Sequence, residues 1–127
     1  MIEYKKTTFI RKRGEMPHHS LPKCHDGVGD LDFTEVLGGE ANPTRRLNFF
    51  HDDILAPGVS VGVHHHEHDE EYYYIVSGTG IMTLDGKEHP VQAGDITAVF
   101  PGGSHGLANN SNANLRIIVV SVLAEKS

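Results

Sequence analysis

Histidine and carboxylate side chains crowd one short stretch of the chain. The eight residues from His64 to Glu71 are all histidine, aspartate or glutamate, and three tyrosines follow them. Side chains alternate between the two faces of a β-strand, so His64 and His66 share one face and His65 takes the other. Neutral imidazoles bind Zn, Cu, Fe and Ni, and a carboxylate such as Glu71 extends the range to Mn. The run therefore suggests a mixed nitrogen and oxygen metal site.

One more imidazole would complete a set of four ligands. His105 follows a glycine-rich turn, in PGGSHGL, that could bring it back over the same strands. The alternative is that the histidine run is a solvated loop or a low-specificity metal-scavenging tract, because composition alone does not separate the two. His68 has the same parity as His64 and His66, but a turn near 67–69 favours a position at a cavity rim or in solvent.

The strands that must position these side chains appear from Thr44 onward as short bursts of β-branched and aromatic residues. Turn compositions such as SGTG, QAGD and NNSNAN separate the bursts. Several short strands at this spacing are typical of a sandwich or barrel, so the sequence predicts an all-β fold with little helix. Asp85 and Gly86 suit the positive φ angles of a two-residue turn and predict a β-hairpin.

The first part of the chain has a mixed pattern. A strand is predicted near Tyr4 to Arg11, followed by a turn-rich segment and the alternating run LDFTEVL. We interpret 1–40 as an N-terminal arm with a leading strand, and 41–127 as the barrel. A second possible cluster in the arm consists of three histidines and the cysteine: His18, His19, His25 and Cys24. Their spacing fits no recurrent site, so the histidines are predicted to lie at the surface.

Size and charge exclude several classes of protein. With 127 residues the chain is predicted to form one domain, and its net charge of −6 argues against binding to nucleic acid or to an anionic membrane. Cys24 is the only cysteine, so no intramolecular disulfide or multi-cysteine zinc site is expected. The sequence shows neither a membrane-length apolar run nor a signal-peptide pattern, and we expect a cytoplasmic protein.

The spacing of the ligand candidates resembles the two motifs of the cupin family. The first motif is matched by Gly58, His64, His66, Glu71 and Gly78. The second is matched by Gly94, Gly102, His105 and Asn109, with Phe100 at the usual proline and Pro101 one place later. The resemblance covers roughly Arg45 to Val122. The chain looks nearest to small bacterial cupins described as mannose-6-phosphate isomerase-like or oxalate decarboxylase-like.

The resemblance implies a cupin double-stranded β-helix, which is a jelly-roll barrel, with one divalent transition metal (Mn, Fe, Ni, Co or Zn) in its mouth. It implies that the ligands are His64, His66, Glu71 and His105. A metal that prefers about six ligands would keep positions open for a small-molecule ligand. The favoured interpretation is a metalloenzyme, a decarboxylase, isomerase or dioxygenase, acting on a small carboxylate or sugar-like substrate. The alternative is a module that binds a small molecule or metal without turnover.

Strand parity suggests which other side chains share the cavity. With Glu71 inward, Tyr73 also faces the interior and the tyrosines on either side of it face outward. Asp69 and Glu70 are predicted to be solvated carboxylates at the outer face or rim, although either could orient a ligand imidazole. Tyr73 and His51 are the predicted catalytic proton donor or acceptor. For His51 and its neighbour Asp53, however, a structural hydrogen-bonded pair is the favoured role.

The same parity places Val59, Val61 and Val63 on the face opposite the ligands. An apolar stripe of this kind needs a cover, which we expect the N-terminal arm or a second subunit to supply. The sequence therefore predicts a homodimer, because two-fold pairs are the commonest soluble oligomers.

Overall fold

Ten strands form two antiparallel sheets in a computed structural model that describes residues 8–38 and 46–124. The six-stranded sheet has the order β1-β2-β3-β10-β5-β8, and the four-stranded sheet has the order β4-β9-β6-β7. The strands are β1 (His18–Pro22), β2 (Asp30–Leu37), β3 (Leu47–Leu55), β4 (Ser60–His65), β5 (Asp69–Ser77), β6 (Thr79–Leu84), β7 (Lys87–Gln92), β8 (Ile96–Val99), β9 (Ser104–Ala108) and β10 (Leu115–Leu123). This arrangement confirms the predicted all-β jelly-roll barrel.

The inner faces of the two sheets meet in one apolar core. Its most buried members come from both sheets and include Leu55, Ile75, Met82, Leu107 and Ile117. Helical geometry is limited to 3-10 turns at Arg13–Glu15 and Cys24–Asp26 within the described residues. No helix in that part of the chain is long and apolar enough to cross a membrane.

The predicted hairpin is confirmed between β6 and β7. Leu84 pairs with Lys87, and Asp85 and Gly86 form the turn with φ angles of 47° and 83°. A residue other than glycine, asparagine or aspartate would be strained at such angles, which explains the sequence signal.

A β-bulge in β4 overturns the prediction for the valines. In the pairing of β4 with β9, Val61 lies opposite Leu107 and His64 lies opposite His105, so Gly62 and Val63 together oppose the single residue between them. The extra residue reverses the alternation of faces. Val59 and Val61 therefore belong to the core, on the same side as the ligand candidate His64, while Val63 is exposed. The continuous valine stripe opposite the ligands does not exist.

The segment of the N-terminal arm around Arg13 packs instead on the outer face of the six-stranded sheet. The Arg13 guanidinium donates to an Asp52 carboxylate oxygen at 2.8 Å and to the Thr34 hydroxyl at 3.3 Å. Arg116 donates to both oxygens of the same Asp52 carboxylate, at 2.9 and 2.7 Å. Asp52 is thus buried on the outer side of β3 with two cationic partners.

The predicted first strand and the arm boundary fall partly outside the described residues. Residues 4–7 lie outside them, and 8–11 have no strand structure, so a strand reaching Arg11 is not observed. The boundary at 40 and 41 also lies outside the described residues, and the division into arm and barrel stays a prediction. The leading strand β2 pairs with β3, and β1 pairs with β2.

Candidate metal centre

Three imidazoles and one carboxylate converge between the two sheets. His64 lies on β4, His66 just after it, Glu71 on β5 and His105 on β9. The Nε2 atom of His105 lies 3.1 Å from the Nε2 atoms of both His64 and His66. The Glu71 Oε1 atom lies 2.9 Å from Nε2 of His105 and 3.6 Å from that of His66. The structure therefore brings together the four side chains proposed as ligands.

The orientation of two rings fits metal coordination. The Nδ1 atom of His64 lies 2.8 Å from the Gly62 carbonyl oxygen, and Nδ1 of His66 lies 2.8 Å from Asp69 Oδ1. Both partners accept hydrogen bonds, so each Nδ1 carries the hydrogen and each Nε2 presents a lone pair to the centre. Neighbouring ligands about 2.1 Å from one octahedral ion would be about 3.0 Å apart, close to the observed Nε2 separations.

The charges of the cluster depend on this proximity. Burial by itself would raise the pKa of Glu71, but His105 and His64 lower it to about 2, so the carboxylate is ionised at neutral pH. Burial lowers the pKa of His105, although Glu71 acts in the opposite direction. Burial also opposes protonation of His64, but Glu71 and the Gly62 carbonyl raise its pKa overall. One anion facing three imidazole nitrogens is a donor set suited to a divalent cation.

Asp69 orients the imidazole of His66, which was the less favoured of its two predicted roles. Its Oδ1 atom accepts the His66 hydrogen bond, and its Oδ2 atom accepts one from the Ser121 hydroxyl at 2.5 Å. Asp69 shares the inward parity of Glu71 on β5 and is half-buried. The prediction that it is a solvated carboxylate is wrong: it orients a ligand candidate. Glu70 faces away and accepts a hydrogen bond from the Tyr72 hydroxyl.

His25 and Cys24 also lie near the cluster. His25 is exposed, as predicted, but its contact with a ligand candidate was not expected. The His25 ring stacks on His64 with a centroid distance of 3.6 Å and an interplanar angle of 11°. The 3-10 turn that carries it can approach β4 because Gly62 has no side chain; a Cβ there would overlap the His25 carbonyl oxygen. Cys24 is half-buried and lines the adjoining cavity. The turn-rich segment gives no periodicity from which this long-range contact could be predicted.

The other arm histidines and His68 lie apart from the cluster. His18 is exposed and its Nε2 atom lies at hydrogen-bonding distance, 2.6 Å, from Asp32 Oδ1, and His19 stacks on Phe33. The prediction that these two lie at the surface is confirmed. His68 is exposed and outside the group of ligand candidates found among the described residues.

A cavity of about 260 Å³ adjoins Glu71. Tyr73, His51 and Asp53 all line it, and the Tyr73 ring lies 4.6 Å from that of His105. No hydrogen bond links His51 to Asp53 among those found in the described residues; His51 packs between Phe33 and Phe49. The favoured role of His51 and Asp53 as a hydrogen-bonded pair is therefore wrong.

Burial sets the protonation of the cavity groups. It lowers the pKa of His51 to about 4, and it raises the pKa of Tyr73 well above its usual value. Burial, together with the charges of Asp52 and Glu71, raises the pKa of Asp53 to about 8. At neutral pH the walls of the cavity thus present a neutral imidazole, a phenol and a protonated carboxyl group.

Asn109, the last residue of the second motif, has a structural role. It is buried, and its amide donates hydrogen bonds to the carbonyl oxygens of Leu55 and Ala113 at 2.8 and 2.7 Å. Its side-chain oxygen accepts hydrogen bonds from Ser111. These contacts fix the loop after β9 and so help to hold His105 in place.

A two-sheet jelly-roll barrel with three histidines and one glutamate in its interior is the architecture of the cupin class. Residues 53–121 match the Cupin_2 family, described as a cupin domain. The chain belongs to this family.

Three comparisons each cover more than nine tenths of the chain. A protein of Thermotoga maritima named "Oxalate-binding protein" is 32% identical over 117 residues, which are 92% of this chain and 96% of that protein. A solved structure from Thermotoga maritima, described as a predicted oxalate decarboxylase, has a TM-score of 0.84 and 31% identity, covering 91% of this chain and 100% of the other. KdgF from Halomonas sp. shares the fold, with a TM-score of 0.71 and 18% identity over 94% of this chain and 97% of the other.

Proposed function

We propose that this protein binds one divalent transition metal through His64, His66, Glu71 and His105, and a small carboxylate beside that metal. The observation that carries the proposal is the convergence of three imidazole nitrogens on one ionised carboxylate. The Nε2 atom of His105 lies 3.1 Å from those of His64 and His66, and Glu71 Oε1 lies within 3.9 Å of all three. Such a metal would act as a Lewis acid that attracts the anionic ligand. The name of the Thermotoga maritima relative makes oxalate the first ligand to test.

Metal-dependent oxalate binding tests this proposal directly. Isothermal titration of oxalate into protein loaded with Mn, Fe, Co, Ni or Zn should give saturable binding with at least one of these metals. The same titration into chelator-treated protein should give none. Binding of oxalate that is equally tight with and without metal would contradict the proposal.

Catalysis is a second candidate, favoured by the groups beside Glu71. Tyr73 and His51 remain the predicted catalytic residues, with Tyr73 donating a hydrogen bond to bound substrate and His51 accepting one. Asp53 is an equally good candidate for the proton donor, because its pKa of about 8 lies nearer to neutral pH than the pKa of His51 or of Tyr73. Product formation from a panel of small carboxylates and sugar derivatives would distinguish a decarboxylase, isomerase or dioxygenase from a binding module.

A homodimer in the cytoplasm remains part of the proposal. The valine argument for the dimer no longer applies, but Tyr74, Val76 and Ile96 expose 46%, 36% and 63% of their surface on neighbouring strands β5 and β8. An apolar patch of this kind supports association with a second copy. Sedimentation that shows only monomer at high protein concentration would contradict it.

A further inference from the structure

The cavity beside Glu71 has two chemically different parts. Asp53 and Tyr73 form a polar side together with Glu71, the ligand candidate that lines the cavity, and His25, Cys24 and His51 also contribute to the lining. The remaining wall is largely aliphatic and aromatic, with Leu21, Leu31, Phe33, Phe49, Val61 and Val119. Oxalate consists of two joined carboxylates, and so it would use the polar side alone.

The apolar wall offers no charge to a second carboxylate. No lysine or arginine lines the cavity among the residues that the structure describes. The imidazole of His51 is neutral at pH 7, and the aromatic rings of Phe49 and Phe33 contact it at centroid distances of 4.2 and 4.1 Å. An anionic group placed against the aliphatic and phenyl side chains of this wall would lose its hydration without gaining a cationic partner.

Aromatic rings supply part of the apolar wall. Phe49 stacks on His51 with an interplanar angle of 17°, and Phe33 meets His51 edge-on at 86°. Aromatic groups bind such surfaces through stacked or edge-to-face contacts and gain from leaving water.

We infer that the preferred ligand has a metal-chelating carboxylate or 2-oxo acid head and an apolar tail about the size of a phenyl ring. This inference rests on the proposed function, because it places the head beside the metal ligands. The tail lies against Phe33, Phe49 and Leu21. Oxalate fills the head position and leaves the apolar wall uncovered.

Two acids with the same head test the inference. Benzoylformate and glyoxylate share a 2-oxo acid group and differ by a phenyl ring. Their affinities for metal-loaded protein therefore measure the tail, once that of glyoxylate is corrected for the fraction hydrated in water. We expect benzoylformate to bind at least about tenfold more tightly than glyoxylate. If glyoxylate binds the metal-loaded protein as tightly, or if neither 2-oxo acid binds it, the inference is overturned.

A pair of variants locates the tail. Leu21 lies in the cavity wall on edge strand β1 and is 42% exposed, so Leu21→Gln makes the wall polar with little cost to the core. It should weaken benzoylformate binding about tenfold and leave glyoxylate unchanged. Val28→Gln is the matched control, because Val28 is 64% exposed and outside the cavity lining. Equal loss of benzoylformate binding in both variants would count against the assigned position.

Chelation separates the inference from the proposed function. Equal benzoylformate affinity in metal-loaded and chelator-treated protein would contradict the proposed metal function, while a retained preference over glyoxylate would still support the apolar wall. Conversely, metal-dependent binding of oxalate with no gain from the phenyl ring would support the proposed function and overturn the inference.

Discussion

Replacing Asp69 with asparagine keeps the size of the side chain that holds His66 and changes what it can donate. In the native protein, Ser121 donates its hydroxyl hydrogen to Asp69 Oδ2, while Asn48 donates to the Ser121 oxygen. The single oxygen of an asparagine would keep the Ser121 hydrogen bond, so its NH₂ group would face Nδ1 of His66. That nitrogen would then have to accept, which moves the imidazole hydrogen to Nε2 and into the metal site.

The expected loss can be scaled from this geometry. One ligand of four would present a hydrogen where the metal needs a lone pair, and the other three would be unaffected. Partners that orient metal ligands typically contribute about 10- to 100-fold in affinity, or about 1.4–2.7 kcal/mol. Asp69→Asn should therefore weaken metal binding within that range without abolishing it.

Competition between the protein and a chromogenic chelator would measure this loss. Glu70→Gln is the matched control, because it removes the same charge from the adjacent residue, which contacts Tyr72 rather than a ligand candidate. Thermal unfolding of the metal-free variants would check that both fold. The reasoning is refuted if Asp69→Asn binds metal as tightly as the native protein, or if Glu70→Gln loses affinity to the same degree.

Two further predictions concern contacts that support the barrel. Arg116→Gln should lower stability by about 1 kcal/mol at pH 7, since it removes charged donors from buried Asp52. Hydrogen bonds from Arg116 hold the pKa of Asp52 below its usual value. The difference in melting temperature between the variant and the native protein should therefore shrink as the pH falls below about 4. A difference in melting temperature that is independent of pH would contradict this account. Gly62→Ala should lower the melting temperature, because the added Cβ would displace the turn that carries His25. Gly14→Ala is the control and should have no such effect, because there is open space around Gly14. Equal melting temperatures for the two variants would argue against the close approach of this turn to β4.

The ligand candidates were predictable because their signal is local. His64 and His66 lie at the end of β4 and just after it, and Glu71 lies on β5, the next strand in the sequence. Their spacing to the glycines on either side restricts which carboxylate turns inward. Strand parity also predicted correctly that Tyr73 lies inside the barrel. The prediction held because β5 pairs with β8 in continuous register on both sides of Tyr73, with no bulge. The hairpin at Asp85 was predictable from backbone sterics alone.

Two features were not predicted, the bulge in β4 and the contact between His25 and His64. Both depend on interactions between segments, which the periodicity of one strand does not show. Because of the bulge at Gly62, the residues before it lie on the opposite face from the one that simple alternation with His64 predicts. The ligand candidates were therefore predicted correctly, but the valine stripe was not. His25 reaches His64 through a turn with left-handed backbone at His25 itself, and the two are far apart in sequence. The glycine at position 62 was the available signal, because it permits both the bulge and the close approach of the turn.

Metal content of the native protein and of His105→Ala tests the central claim most directly. The protein should be purified without chelator and without nickel resin and then measured by elemental mass spectrometry, with His89→Ala as control because His89 is exposed on β7. We expect about one divalent transition metal per chain in the native and control proteins and a large loss in His105→Ala. Native metal content in a folded His105→Ala variant would contradict the assignment of the site.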